Sequence, residues 1–249
     1  MREQRIHELV ERLEQYHKDL WISRGWLVFQ QLGTLRGSFL VFERNYTELA
    51  SALEKFRDPA FYLPTLDREH PERLDDFLLE ITRLLHNYAA AAISLADHTR
   101  IVANELYAQS PFLAEYGEQV KGTFAESPVA RFVHGLRNYM LHYRLPFPIS
   151  HLTADHIGTS NEWNIETHLT LLVADLKKWG EWHPRAEEYL AAGDAQLDLH
   201  QLVTDYTSSV KSFRSWLQIR QQEVHKKDMD ELSRRLKAIR AVEDELEGG

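Results

Sequence analysis

The feature that most constrains this chain is a long stretch without a helix breaker. Pro71, in "EHPERLDDFLLEITRLLHNYAAAAISLADHTRIVANELYAQS", stands where a proline opens a helix at its first position, and nothing interrupts the pattern until Pro111. At 1.5 Å per residue such a helix is a rod of roughly 60 Å. A rod of that length needs other helices to cover it, and its small-residue centre, Ala89 to Ala92, lets a neighbour approach closely.

The flanking segments carry the same period. Ile6, Leu9, Leu13, Tyr16 and Leu20 step in threes and fours, predicting an amphipathic helix over 6–32. A second apolar run, 35–56, ends at a loop, "RDPAFYLP". Ser127 before Pro128 is a capping hydroxyl ahead of a first-turn proline, and Pro146 with Pro148 marks a stop, so a helix is expected over about 128–144. Then the period changes. Residues 149–157 and 164–173 are rich in β-branched side chains and flank the turn-like "GTSNEW", predicting a hairpin within about 149–173. From about 197, Leu199, Leu202, Tyr206, Val210, Phe213 and Leu217 define a long C-terminal helix; Asp228 with Glu231 either caps a new segment or sits on its surface. Without a low-complexity linker or an internal repeat, 1–249 reads as one mostly α domain, a helical bundle with a small β-hairpin insertion.

Composition narrows the chemistry. The chain has 249 residues, 43% of them hydrophobic, enough for a substantial core. Its longest apolar runs are too short to span a bilayer, and the charged "MREQRIHELVERLEQ" is unlike a signal peptide, so no membrane partner and a cytoplasmic address are expected. The absence of cysteine removes disulfides, thiolate metal sites and cysteine nucleophiles. A net charge of −9 argues against a surface that coats nucleic acid, yet leaves room for a local basic site. There are 13 histidines, a high load that is scattered along the chain.

One helix concentrates them among other polar groups: "HGLRNYMLHYRLP", 134–146. At about 100° per residue and with Phe132 at zero, Leu136, Tyr139 and Tyr143 lie within roughly 40° and Met140 at the edge, forming the packing stripe. The remaining arc holds Arg137 at about 140°, Leu141 at about 180°, His134 at about 200°, Asn138 at about 240°, Arg131 at about 260° and His142 at about 280°. A leucine ringed by polar groups is a plausible contact point. Asn138 and His142, four apart, are surface neighbours, so the amide can orient the imidazole. Arg137 and His142 are about 140° apart and flank the face without meeting easily. Two copies related by a twofold axis through Leu141 would bring both arginines and both histidines into one cleft.

The run Arg137-Asn138-Tyr139-Met140-Leu141-His142 resembles the Arg-x4-His motif, often with Asn in second position, of the HEPN superfamily of all-helical nucleases and nucleotide-binding domains. The resemblance covers this helix and, more loosely, the long one before it, with "HNYAAAAISLADHTR". It implies metal-independent cleavage of RNA, the 2′-hydroxyl attacking the adjacent phosphate at a cleft between two protomers. His142 would then be the general acid or base, Arg137 the phosphate clamp and Asn138 the orienting group, with Arg131 and His134 as secondary binding residues. It also implies a homodimer, RNA as partner, no cofactor, and by analogy a toxin or antiviral-defence role with an antitoxin or other protein partner. The alternative is a non-catalytic interaction, nucleotide-binding or scaffold protein, which the superfamily also contains.

Other constellations have plainer readings. His86 and His98, beside Asn87, Asp97 and Arg100, fit satisfied polar groups of a bundle. His151, His156, His168 and His183 invite a zinc reading, but no HExxH-like spacing accompanies them, so no metal site is assigned. Trp163, Trp179, Trp182 and Trp216 read as packing groups more than as a base-stacking platform.

Overall fold

The computed structural model describes residues 2–67, 69–156 and 163–248, except for the side chains of 154–156 and 163–165. It is mostly α, with one small antiparallel sheet. The breaker-free segment forms one helix, α4 (Glu72–Tyr107). The N-terminal part divides differently from the sequence expectation. In place of a helix over 6–32, α1 spans Arg2–Trp21 and α2 runs Arg24–Arg57 without a break at 33–34. The chain turns at Ile22 and Ser23 because Ser23 offers a cap: its hydroxyl donates to Leu20 O (2.6 Å) and accepts from Trp26 N (3.2 Å). The "RDPAFYLP" loop contains a short helix, α3 (Pro59–Thr65), started by Asp58 through Ala60 N at 2.9 Å.

After α4 come α5 (Phe112–Val120) and a π-helical turn over Lys121–Ala125. The motif helix is α6 (Pro128–His142), capped by Ser127, whose hydroxyl accepts from Ala130 N at 3.3 Å. The hairpin is present as β1 (Ile149–His156) and β2 (Trp163–Leu172), paired from Ile149↔Thr170 to His156↔Trp163. Of its expected turn, 158–162 lie outside the described residues. Two short helices, α7 (Val173–Leu176) and α8 (Pro184–Ala192), lead to a third strand that the periodicity did not reveal, β3 (Gln196–Asp198), paired with β2. The C-terminal helix therefore begins only at Leu199 and is two helices, α9 (Leu199–Val224) and α10 (Lys226–Gly248).

α4 is packed along α2, and the main core gathers residues from α2, α4, α6, α9 and β2. The sheet is tied in by alternate residues of β2: Thr167, Leu169 and Leu171 are buried, and the Thr167 hydroxyl donates to Phe56 O at 2.7 Å. A second, smaller cluster joins α1 to α10 through Leu20, Leu232 and Ile239.

An aromatic clasp holds α6. Trp182 stacks on Phe132 and Tyr139 with ring centroids 5.1 and 5.6 Å away, Trp179 meets Trp182 edge-on at 4.7 Å, and the Trp182 indole N–H donates to Leu176 O at 2.8 Å. The helix backbone presses so closely on the indole that a Cβ at Gly135 would lie 2.8 Å from two of its ring atoms. Gly33, in contrast, is exposed within α2 and a Cβ there meets nothing within 4 Å. Opposite outcomes are expected for the same substitution. Gly135→Ala should lower unfolding stability by about 1–3 kcal/mol through overpacking, whereas Gly33→Ala should raise it by about 0.5–1 kcal/mol through helix propensity; urea melts of the two variants measure both.

Candidate functional site

α6 does not present its polar arc uniformly. Its N-terminal half lies against α9 and the π-helical turn, and its C-terminal half emerges from them. Arg131, in the covered half, donates through Nε to Ala125 O at 2.9 Å and so satisfies a carbonyl of the π-helical turn. His134 is part-buried, with Nε2 3.1 Å from the Tyr206 hydroxyl of α9. These two, expected to share a solvent face with Leu141, are turned inward by what covers them. Burial lowers the His134 pKa from about 6.5 to about 4, the Arg131 charge adds to that effect, and Asp97 opposes it.

The C-terminal half is the open part. Arg137 is part-exposed and donates to Asn138 Oδ1 at 3.2 Å, so the amide orients the guanidinium in place of the His142 imidazole. Asn138, Leu141 and His142 are exposed, Leu141 at 47%. Among the described residues His142 has no hydrogen-bond or ion-pair partner, and Arg137 has no carboxylate. This is unlike Arg83, Arg100, Arg185, Arg214 and Arg220, each of which is neutralised by a nearby Glu or Asp. Tyr143, assigned by periodicity to the packing stripe, is 40% exposed because it is the C-cap residue, with φ −124° and ψ −70°. There it carries Arg144 over its ring at 4.5 Å, and Leu145 and Phe147 beyond it are exposed too. Among the described residues, the end of α6 thus joins the Arg137 guanidinium, without a carboxylate, and the unpartnered His142 to exposed aromatic and apolar groups. Arg137 and His142 of one chain still flank this end on different sides, since five residues separate them on one helix.

The other histidines resolve separately. His151 and His168 face each other across β1 and β2, and Asp198 lies on the same sheet face. His168 Nδ1 is 3.0 Å from Asp198 Oδ2, while His151 Nε2 is buried without a partner among the described residues. His183 caps α8, its Nδ1 accepting from Arg185 N at 3.2 Å, and the His156 side chain lies outside the described residues. Among the described residues no group of three or more His, Asp or Glu is placed to hold a metal ion. His98 Nδ1 is 2.7 Å from the Ser38 hydroxyl, as a satisfied bundle group would be. Trp179 and Trp182 are buried, and Trp216 packs on the core, while the Trp163 side chain lies outside the described residues.

One polar unit escaped the sequence reading. His225, 2% exposed, lies between Asp228 Oδ2 (2.8 Å from Nδ1) and the Tyr107 hydroxyl (3.1 Å from Nε2), linking α4, α9 and α10. A new helix does start here: Asp228, in the first turn of α10, answers His225 instead of capping, and Glu231 lies on the helix surface, paired with Arg235 at 2.6 Å. Burial raises the Tyr107 pKa to about 12, so it stays protonated. The only local signal was the three-residue His–Asp step, because Tyr107 is 118 residues away. This is an interior junction.

Comparison with protein-family models, curated proteins and solved structures gives no match. No helix of the described residues is long and apolar enough to cross a membrane.

The His134 shift has a thermodynamic consequence. An imidazole whose folded pKa is depressed is protonated first in the unfolded chain, so its unfavourable contribution is absent above pH 6.5 and grows as pH falls towards 4. Unfolding stability should fall across that window by up to about 3 kcal/mol from this group. His134→Gln should flatten the slope in urea melts at pH 7, 5.5 and 4, and an unchanged slope would show that other groups govern acid stability.

Proposed function

We propose that the chain is a metal-independent endoribonuclease of HEPN type, with its site shared between two protomers at the C-terminal end of α6. The observation that carries this reading is the pair of uncompensated groups there: Arg137, held by an amide instead of a carboxylate, and His142, without a partner among the described residues, on a chain of net charge −9. An unneutralised guanidinium is free to take a phosphate with two parallel hydrogen bonds, and imidazole is the side-chain acid–base group suited to neutral pH. Exposed Tyr143 and Phe147, with Arg144 alongside, supply rings on which an unpaired base can stack.

Because Arg137 and His142 lie on different sides of one helix, they meet at a single phosphate only if a second copy supplies one of them. Leu141, exposed between them, is the natural twofold contact. In the resulting cleft His142 takes the 2′-hydroxyl proton or returns one to the leaving 5′-oxygen, and Arg137 neutralises the charge that develops on the phosphate. Asn138 positions Arg137. His134 and Arg131, held by Tyr206 and Ala125, shape the helix from within. A cytoplasmic toxin or defence nuclease is the corresponding biology. A non-catalytic interaction module is the second reading, favoured by exposed Trp21, Ile22 and Phe29 near the α1–α2 turn.

Two experiments test this reading. Leu141→Glu should place like charges against each other across the twofold and shift a dimer to monomer in light scattering, with the helical signal retained; a wild-type monomer at high concentration would remove the shared site. Single-stranded RNA should be cut in the presence of EDTA to leave 2′,3′-cyclic phosphate ends, and a deoxyribose at the cut position should block cleavage. Arg137→Ala and His142→Ala should each reduce the rate about a hundredfold or more, and mixing the two inactive variants should restore part of the activity. Wild-type protein inert on RNA would favour the interaction module.

A further inference from the structure

A second feature lies on the inner side of α6 and is independent of the nuclease reading. α4, α5, the π-helical turn and α9 enclose a cavity of about 310 Å³. Its walls are apolar: Phe39, Leu95, Val120, Phe124, Val210 and Phe213 line it, and Ala92 and Ala96 make the α4 side shallow. The C-terminal edge of the small-residue stretch, Ala92, and Ala96 one turn on thus back a space, while Ala89 and Ala91 lie in the packed core. Exposed Asp97, Arg100 and Gly117 mark the mouth, where Asp97 and Arg100 neutralise each other at 2.9 Å. Phe124 belongs to the π-helical turn, a backbone irregularity often found where a helix is shaped around a function.

Two polar pairs also line it: Tyr116 beside Thr99, whose hydroxyl donates to the Leu95 and Ala96 carbonyls, and His134 with Tyr206. Tyr206 is 2% exposed, and its hydroxyl has the His134 Nε2 as its hydrogen-bond partner among the described residues. A buried hydroxyl proton needs an acceptor, so Tyr206 donates to Nε2. The ring, neutral at pH 7, then carries its own proton on Nδ1, which has no partner among the described residues. With the Thr99 and Tyr116 hydroxyls already engaged and Asp97 paired to Arg100, the cavity offers a largely apolar body, no net charge and an N–H donor on His134.

We propose that this cavity is a binding site for a neutral, largely apolar small molecule carrying one hydrogen-bond acceptor, such as a bicyclic aromatic ketone, with His134 Nδ1 donating to the acceptor. The volume is about twice that of the ~150 Å³ apolar cavity that accepts benzene, which sets the size at two rings or a comparable chain. A charged ligand would be left without a counter-charge inside and is disfavoured.

The test uses prodan, a neutral fluorescent naphthalene ketone whose emission moves to the blue on leaving water. Wild-type protein should bind it saturably at one site per chain, and naphthalene should displace it. Ala96→Phe, which fills the cavity, and Gly117→Leu, at a position where a Cβ meets nothing within 4 Å, should each weaken binding about tenfold or more while the helical circular dichroism is kept. His134→Phe should weaken prodan about five- to tenfold, the value of one hydrogen bond, and leave naphthalene unchanged. Absence of saturable binding to wild type, or unchanged binding by both filling variants, would overturn the site. A loss shared equally by naphthalene in His134→Phe would overturn the assigned donor. RNA cleavage takes no part in these readouts.

Discussion

The geometry of the candidate site depends on the contact between the backbone of α6 at Gly135 and the face of the Trp182 indole. A side chain at 135 would sit 2.8 Å from the ring, so the approach requires glycine there, and the ring is itself fixed by Phe132, Tyr139, Trp179 and the Leu176 carbonyl. Such an interlocked cluster sets both the height and the rotation of α6, because neither the helix nor the indole can move without opening a void or a clash. The rotation decides which groups face solvent. The sheet contributes indirectly: β2 anchors to the α2 end through Thr167 and Phe56, and the chain that leaves β2 carries the tryptophans to α6.

With α6 held in this way, one angular arc of the helix meets two environments. His134 and Leu141, separated by only about 20° around the axis, are almost in line, about two turns apart. The first lies against Tyr206 and borders a cavity, and the second is half open to water. The inner half gains a neutral histidine, Arg131 satisfying a carbonyl, and an apolar space. The outer half gains a guanidinium, Arg137, that no described carboxylate neutralises, on an acidic protein and beside exposed aromatics. Elsewhere arginines are neutralised across helices, as Arg214 with Glu43 and Arg220 with Glu115, or spent on a backbone carbonyl, as Arg131 on Ala125 and Arg24 on Leu106; among the described residues Arg137 has only the neighbouring amide. That asymmetry is why the outer half is the stronger candidate for anion chemistry and the inner half for a neutral ligand.

Much of this organisation was legible in the residues. The breaker-free run from Pro71 to Pro111, the Ser127–Pro128 start and the β-branched pair of segments near 149–173 determined a mostly helical chain, a helix carrying the Arg137 to His142 motif and a hairpin after it, because caps, prolines and side-chain periods act over a few residues. Tertiary structure alone decided the third strand at 196–198 and the division between α9 and α10, since each depends on partners far away in sequence; the break at Ser23 in place of 33–34 follows from a local cap that the hydrophobic period does not show. It also decided that His134 turns inward, that Tyr143 is exposed, that Asn138 serves Arg137, and that His225 joins Asp228 to a tyrosine from another helix. Helical periodicity fixes the angle of a side chain around its own axis. What lies opposite that angle, and how far along the axis it extends, is set by the packing of other elements, which no local pattern encodes.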